Sequence, residues 1–370
     1  MRDYHGIIFA YHATDELREL VSARTAASLP FCARYRLIDF PLSSLRNAGV
    51  LDVGVIMQRD YQSLLDHMGS GKAWDMSRKS GGLRMLPPFG LPEYHTGNYT
   101  GTMEALNAVA TYIRDIPQKH VILLLGNMVA NVDLDAVIHQ HEKAGTDATA
   151  ICSDFTPKGV HHRYLIGPDG LVRGISLYRT GDGEGVPSLE GYIFKKDVLL
   201  NLMDRCKAIN LFGFHQDAMN LFLSGGGKMD AYIHHGYSCT IHSVDEYYKA
   251  QMDMLDGSIR HQIFPPERPV RTKIHEEVST YYGEQSISRN SLVADNCIIE
   301  GEIENCIVGS GARIAQGAKV KNCVLMRGCT VESGAQLSNV IVDKHCSFSE
   351  GSVLTGSPKL PMVVPKYTKI

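Results

Sequence analysis

The feature that most constrains the fold of this chain is a repeat of 17 residues in its C-terminal part. From Ser288 onward there is no helical period, and large apolar residues recur in steps of six, six and five. Three such steps return the chain to the same corner, which is typical of a three-sided parallel β-helix with short strands. Ordinary antiparallel strands would alternate at period two and end in hairpin turns, and the segment keeps neither pattern. The apolar residues that we expect to fill the β-helix are Val308, Ile314, Val320, Leu325, Val331, Leu337, Val342, Phe348 and Leu354.

Three asparagines follow the same register, because Asn305, Asn322 and Asn339 stand 17 residues apart. Asparagine tolerates a left-handed backbone, and its amide groups can form ladders along stacked strands. We therefore expect these asparagines at equivalent turns of successive coils. Several further positions of the repeat are expected to point outward and to offer small or apolar side chains to a partner protein. They include Cys306, Ile307, Val324 and Ile341.

The chain before the repeat alternates strand-like and helix-like segments, which predicts a mostly parallel sheet with helices on both faces. Its apolar runs at residues 7–10, 53–57 and 121–125 are typical of buried strands. A segment with several prolines and little periodicity then separates the two patterns. The predicted organisation is an α/β domain at residues 1–257, a linker at 258–283 and a β-helix domain at 284–370.

Composition limits the classes of function that need to be considered. A chain of 370 residues is too long for one ordinary core. Its net charge of −3 gives no sign of a surface for nucleic acid or for an anionic membrane. No apolar run approaches the ~20 residues of a membrane helix, and the first residues lack the order of basic, apolar and small residues that is expected of a signal peptide. The nine cysteines form no CxxC pair, so we expect reduced thiols in a cytoplasmic protein.

The segment after the first predicted strand is the expected position of a ligand site, because ligands of such sheets bind beyond the carboxyl ends of the strands. Residues 11–16 read Tyr-His-Ala-Thr-Asp-Glu. A phosphate cradle needs glycines, so that backbone amides can approach the ligand, and a basic residue. This segment has neither and ends in two acidic residues. The architecture therefore predicts a nucleotide site, while the residues argue against a working one.

A resemblance to a known family extends over nearly the whole chain. Residues 34–44 read RYRLIDFPLSS, and Asn47-Ala48-Gly49, Trp74-Asp75 and Gly101-Thr102 follow. Together with the two-part organisation, these motifs resemble the glucose-1-phosphate adenylyltransferase family, especially its GlgD-type branch of non-catalytic subunits. The resemblance implies a Rossmann-like nucleotidyltransferase domain of GT-A type, followed by a left-handed parallel β-helix of hexapeptide repeats. It also implies a reaction in which the phosphate of glucose 1-phosphate attacks the α-phosphate of ATP and diphosphate leaves.

The resemblance also marks positions at which this chain departs from the family. Glu16 stands at the arginine that contacts the phosphates, and Ala26 stands at a lysine. Asn127 and Thr240 stand at the two aspartates that hold the metal. A carboxylate repels a triphosphate, and a neutral amide is a poorer ligand for a hard cation than a carboxylate. We therefore expect no functional catalytic residues, no metal site and no cofactor bound by this chain alone.

Other positions of the family pattern remain. Gln58, Gly101 and Thr102 match residues of the nucleotide pocket, and Arg179 matches the lysine that binds the sugar phosphate. A further pair, Arg34 and Arg36, is expected to contribute to a site for a small-molecule effector. The histidine pairs at residues 161–162 and 234–235 are not expected to clamp a metal, because adjacent side chains point in different directions.

Three functions remain open at this point. The first is a regulatory, catalytically deficient subunit of the bacterial adenylyltransferase in glycogen biosynthesis, which forms a heterotetramer with a catalytic homologue that uses Mg²⁺. The second is an active adenylyltransferase with ligands from unusual positions. The third is a non-enzymatic protein that binds sugar nucleotides. Changes at phosphate-binding and metal-binding positions together favour the first.

Overall fold

The computed structural model describes residues 3–11, 15–87, 99, 101–155, 161–178, 184–274 and 276–370. Two compact units share this chain, and each is discontinuous in sequence. The first, here called the sheet unit, comprises Met1–His12, Ile38–Thr240 and Phe264–Arg271. The second, here called the β-helix unit, comprises Ala13–Leu37, Ile241–Ile263 and Thr272–Ile370.

The strands and helices of the described chain are as follows. The strands before residue 250 are β1 (Tyr4–Phe9), β2 (Pro30–Phe31), β3 (Tyr35–Arg36), β4 (Val53–Ile56), β5 (Leu83–Leu86), β6 (His120–Leu125), β7 (Met128–Ala130), β8 (Ala148–Ser153), β9 (His161–Ile166), β10 (Val172–Tyr178), β11 (Val186–Lys195), β12 (Met229–His234) and β13 (Ser238–Thr240). The helices are α1 (Asp39–Asn47), α2 (Gln62–Met68), α3 (Thr102–Ala108), α4 (Ala110–Asp115), α5 (Leu134–Ala144), α6 (Lys196–Ala208), α7 (Asn220–Ser224), α8 (Val244–Asp253) and α9 (Gly257–Ile263).

The sheet unit is built on a nine-stranded sheet with β1 near its centre. β1 is buried along its length and pairs in parallel with β4 and β6, so the three apolar runs of the sequence form adjacent strands. The sheet is more mixed than predicted, because β11 runs antiparallel to both β6 and β8. The parallel part brings the carboxyl ends of β1, β4 and β6 to one edge, where ligands of such sheets bind.

The β-helix unit contains the predicted three-sided coil. Its strands are β14 (Tyr281–Tyr282), β15 (Ile287–Arg289), β16 (Leu292–Val293), β17 (Ile298–Ile299), β18 (Glu302–Glu304), β19 (Ile307–Val308), β20 (Arg313–Ile314), β21 (Lys319–Lys321), β22 (Val324–Leu325), β23 (Thr330–Val331), β24 (Gln336–Ser338), β25 (Val340–Val342), β26 (Ser347–Phe348), β27 (Val353–Thr355) and β28 (Met362–Val364). They form three parallel sheets of five strands each. Eight of the nine predicted core residues are buried in the coil, and Leu354 is partly buried against them.

The asparagine ladder is confirmed. Asn305, Asn322 and Asn339 have φ angles of 52°, 51° and 53°. The side-chain amide of Asn305 donates to Asn322 Oδ1, and that of Asn322 donates to Asn339 Oδ1, both over 3.2 Å. Asparagine tolerates the positive φ that these turns require, and the side-chain amides of successive coils are hydrogen-bonded to one another.

The expectation that apolar outer positions of the coil are exposed is wrong. Cys306 and Cys323 point into the coil core, and Ile307, Val324 and Ile341 are also at most 2% exposed. Earlier parts of the chain pack in the same unit, as the hydrogen bond from the Tyr248 hydroxyl on α8 to the Asn322 carbonyl shows. Apolar side chains remain exposed on the first and last coils instead: Tyr281, Tyr282, Ile287, Val353 and Met362.

Two segments of the predicted α/β domain pack in the β-helix unit, namely residues 15–37 and 241–257, and residues 258–263 of the predicted linker pack there too. They are joined there by polar contacts, because the Tyr247 hydroxyl and the Gln251 side-chain amide both donate to the Pro30 carbonyl oxygen. The compact units of the structure are therefore discontinuous in sequence, whereas the domains predicted from the sequence are continuous. Among the described residues, no helix is both long and apolar enough to span a bilayer.

Candidate functional site

The loops that follow β1 and β6 meet at the edge of the sheet where a nucleotide is expected. The backbone N–H of Gly126 donates to the Phe9 carbonyl oxygen over 2.8 Å. On the other side of β1, the N–H of Ala10 donates to the Ile56 carbonyl oxygen over 2.9 Å. Tyr11, Gln58 and Asn127 thus follow the ends of three adjacent strands, as the sequence predicted.

Tyr11 occupies the start of the segment that would cradle phosphates. Its side chain is 5% exposed, and its ring meets the edges of Phe9 and Tyr99 at centroid distances of 5.9 and 5.3 Å. Burial raises the pKa of Tyr11 well above its usual value, and a side-chain hydrogen bond with Thr102 opposes this rise. An aromatic side chain and its partners therefore lie where a glycine loop would present bare amides.

The two positions at which the resemblance leads us to expect metal-binding aspartates lie on or next to two paired strands. β7 pairs antiparallel with β13, and the register places Thr240 opposite Met128, the residue that follows Asn127. Asn127 is 1% exposed and Thr240 is half-buried. The side chains at these positions are an amide and a hydroxyl. Neutral oxygens hold a hard divalent cation more weakly than two carboxylates do.

Some of the positions that resemble the family's nucleotide pocket also have structural roles. A Cβ atom on Gly101 would lie 2.1 Å from the Phe212 carbonyl oxygen, so close backbone packing alone requires glycine there. Thr102 begins α3 and interacts with Tyr11. Gln58 is half-buried after β4. Arg179 lies outside the described residues.

The remaining predicted positions lie in the β-helix unit. Glu16 is exposed, and Ala26 is fully buried in a short helical turn. Arg24, two residues earlier, is 5% exposed, and its guanidinium pairs with Asp343 over 2.5 Å. The Arg24 guanidinium is therefore neutralised by the Asp343 carboxylate of the β-helix.

One of the two predicted effector residues belongs to a basic cluster. Burial, followed by the positive charges of Arg36, Arg24 and Lys366, lowers the pKa of Lys344 to about 7, and the nearby Asp343 carboxylate opposes this shift. Arg36 lies on β3, whereas Lys344 and Lys366 come from the last part of the coil. Arg34 is exposed on the turn before β3. From the sequence we expected Arg36 but not the two lysines, which lie 308 and 330 residues further along the chain and have no local motif.

Comparison with known proteins gives matches over both parts of the chain. The family described as nucleotidyl transferase matches residues 6–164, and the family described as GlmU-like, C-terminal hexapeptide matches residues 275–359. The second match agrees with the predicted left-handed β-helix of hexapeptide repeats. Glycogen biosynthesis protein GlgD of Geobacillus stearothermophilus is 32% identical over 339 residues, which cover 85% of this chain and 82% of the relative. GlgD of Bacillus subtilis (strain 168) is 28% identical with the same coverage of both chains. A glucose-1-phosphate adenylyltransferase of Halalkalibacterium halodurans is also 28% identical, over 85% of this chain and 83% of the relative.

Proposed function

The chain belongs to the family of the GlgD glycogen biosynthesis proteins and the glucose-1-phosphate adenylyltransferases, and on this basis we propose that it is a regulatory, catalytically deficient subunit in bacterial glycogen synthesis. It joins a catalytic homologue in a cytoplasmic hetero-oligomer, expected to be a tetramer. The partner supplies the catalytic residues and uses Mg²⁺, while this chain binds no cofactor of its own for the reaction.

The observation that carries the proposal is the pairing of β7 with β13, which sets Thr240 opposite Met128, the residue that follows Asn127. Transfer of an adenylyl group needs positive charge at the phosphates, and a cation held by two carboxylates supplies it. The neutral pair at this point does not replace that charge. Loss of one group that stabilises transition-state charge costs about 10² to 10³ in rate.

The segment after β1 supports the same proposal independently. Tyr11 is buried against Phe9 and Tyr99, and its interaction with Thr102 engages a position of the nucleotide pocket. A triphosphate would have to displace these contacts before backbone amides could reach it. We therefore expect ATP to bind this chain weakly at best.

A subunit without turnover acts through contacts that favour the active state of its partner. The terminal coils of the β-helix unit expose apolar side chains next to strand edges with open backbone groups, and such edges pair readily with another chain. The basic cluster of Arg24, Arg36, Lys344 and Lys366 fits an anionic small-molecule effector. We propose the terminal coils as the contact with the partner and the cluster as the effector site.

The decisive experiment mixes the pure chain with a catalytic homologue. The chain alone should form no ADP-glucose with ATP, glucose 1-phosphate and Mg²⁺. In the mixture, light scattering coupled to size exclusion should give one hetero-oligomeric peak, and the turnover or effector response of the partner should change. Arg36→Gln should reduce the effector response, whereas Arg313→Gln, which removes an exposed arginine on β20, should not.

The alternatives give different results in the same experiment. Robust Mg²⁺-dependent synthesis by the chain alone, in a preparation free of host enzyme, would favour an active adenylyltransferase. Two separate peaks with unchanged partner kinetics would contradict the regulatory role. If the chain then also bound ADP-glucose in a calorimeter, a non-enzymatic sugar-nucleotide protein would explain the retained Gln58 and Thr102.

A further inference from the structure

Three side chains with metal-binding donors meet in the sheet unit, away from the Asn127–Thr240 pair along the chain. They are His162 on β9, Glu190 on β11 and His215 on the helical turn Phe214–Met219. One donor atom from each lies within 4.8 Å of the other two. They form the one such group of three found among the residues that the structure describes.

The group depends on an irregularity in β11. The register of β11 shifts between Ser188 and Gly191, and Glu190 has a φ of 55°. The Glu190 N–H donates to Ser188 Oγ over 2.9 Å, which holds this bulged backbone. Glu190 Oε1 then lies 3.3 Å from His162 Nδ1. Bulges of this kind commonly re-aim a side chain next to a functional site.

His215 is oriented by buried tyrosines. Its Nε2 lies 2.6 Å from the Tyr192 hydroxyl, which in turn lies 2.6 Å from the Tyr164 hydroxyl. Both tyrosines are at most 2% exposed. A histidine that binds a metal through one ring nitrogen typically has the other fixed by such a partner. With Nε2 engaged by Tyr192, a metal on His215 would bind through Nδ1.

We propose that His162, Glu190 and His215 bind one divalent transition-metal ion of the Zn²⁺ class. Two imidazoles and one carboxylate suit zinc, with a fourth position for water, and imidazole favours such ions over Mg²⁺. The site goes beyond the proposed regulatory function and differs from the sequence-based expectation of no metal. It needs neither a nucleotide nor a partner subunit.

Metal binding should be accompanied by a local rearrangement. The His162 and His215 rings are stacked, with centroids 3.8 Å apart and planes inclined by 12°. In this arrangement the lone pairs of both rings cannot converge on one ion at a bond length of about 2.0–2.1 Å. Rotation of the half-buried His162 side chain can open the stack.

The test uses the full chain, treated with a chelator and dialysed, in the absence of nucleotide. Titration with Zn²⁺ in a calorimeter and with Co²⁺ by visible absorption should give one equivalent, and Co²⁺ should show the intense bands of a four-coordinate or five-coordinate site. Mg²⁺ should not compete. His162→Gln, Glu190→Gln and His215→Gln should each lower the affinity by more than about 100-fold, and Tyr192→Phe by about 10- to 100-fold.

His235→Gln is the matched control. His235 also pairs with a carboxylate, that of Asp154 at 2.8 Å, but its side chain is 78% exposed and it does not belong to the group of three donors. The His235→Gln variant should bind Zn²⁺ with the affinity of the parent chain. Absence of a tight equivalent, a weak six-coordinate Co²⁺ spectrum, or equal affinity in the three ligand variants and the parent would overturn the proposal. The Co²⁺ spectrum of the parent chain decides the matter even if a variant fails to fold.

Discussion

Asp343→Asn removes one partner of a buried ion pair in the β-helix unit and should destabilise that unit strongly. Arg24 Nη2 lies 2.5 Å from Asp343 Oδ2, and the two side chains are 5% and 2% exposed. Asparagine keeps the shape of aspartate and can still accept the hydrogen bond from the Lys344 N–H. The main loss is therefore the counter-charge of the Arg24 guanidinium. Breaking a buried pair in this way costs about 3–5 kcal/mol.

The neighbouring charges place the expected loss toward the upper end of that range. Arg24 and Arg36 already lower the pKa of Lys344, and Asp343 opposes them. Without the carboxylate, these cations repel one another in a largely buried site. Two unit charges 4 Å apart interact by about 4 kcal/mol at an effective dielectric constant of about 20, which agrees with the mutational range. We expect a loss of about 4–5 kcal/mol.

Equilibrium urea unfolding measures the loss, and hydrogen exchange in β25 reports on the β-helix unit itself. Arg24→Met combined with Asp343→Asn should recover most of the stability, because an apolar side chain replaces the unpaired charge. Asp204→Asn is the control, since it breaks an exposed pair with Arg114 and should cost about 0–1 kcal/mol. If Asp343→Asn cost no more than Asp204→Asn, the argument from the buried pair would be refuted.

Three further predictions concern the candidate site, the coil turns and the basic cluster. Asn127→Asp with Thr240→Asp should not restore ADP-glucose formation, because Tyr11 stays buried at the start of a glycine-free segment that also contains Glu16; rates near those of a catalytic homologue would show that this segment matters less than we argue. Asn322→Ala should lower the free energy of unfolding by about 1–2 kcal/mol, because alanine is strained at a φ of 51°, and an unchanged urea midpoint would contradict this. Lys344 has a folded pKa of about 7, below its usual value of 10.5, so the unfolded chain binds more protons and stability should rise with pH between these values. Lys344→Met should remove that rise, and equal pH slopes in both proteins would exclude this cause.

The sequence by itself was enough for the features that depend on local repetition. The 17-residue period places an apolar residue at each corner of the coil and an asparagine at one turn of each repeat. The apolar runs of β1, β4 and β6 likewise identify central strands. These patterns are visible in the sequence because a regular backbone geometry places chemically similar side chains at a regular spacing along the chain.

The tertiary structure decided which distant side chains meet. The pairing of Thr240 with Met128 follows from an antiparallel register, and the ion pair of Arg24 with Asp343 joins residues 319 apart. From the sequence, Ile307, Val324 and Ile341 were expected to point outward and contact a partner, but in the structure all three are buried.

The group of His162, Glu190 and His215 is the clearest example of this limit, because three elements and one β-bulge bring it together. From the sequence, adjacent histidines were not expected to share a metal, and there was no sign of ligands 28 and 53 positions further along the chain from His162. Contacts of this kind depend on strand order, register and crossing direction. A single residue of shift in register would turn each side chain to the opposite face of the sheet.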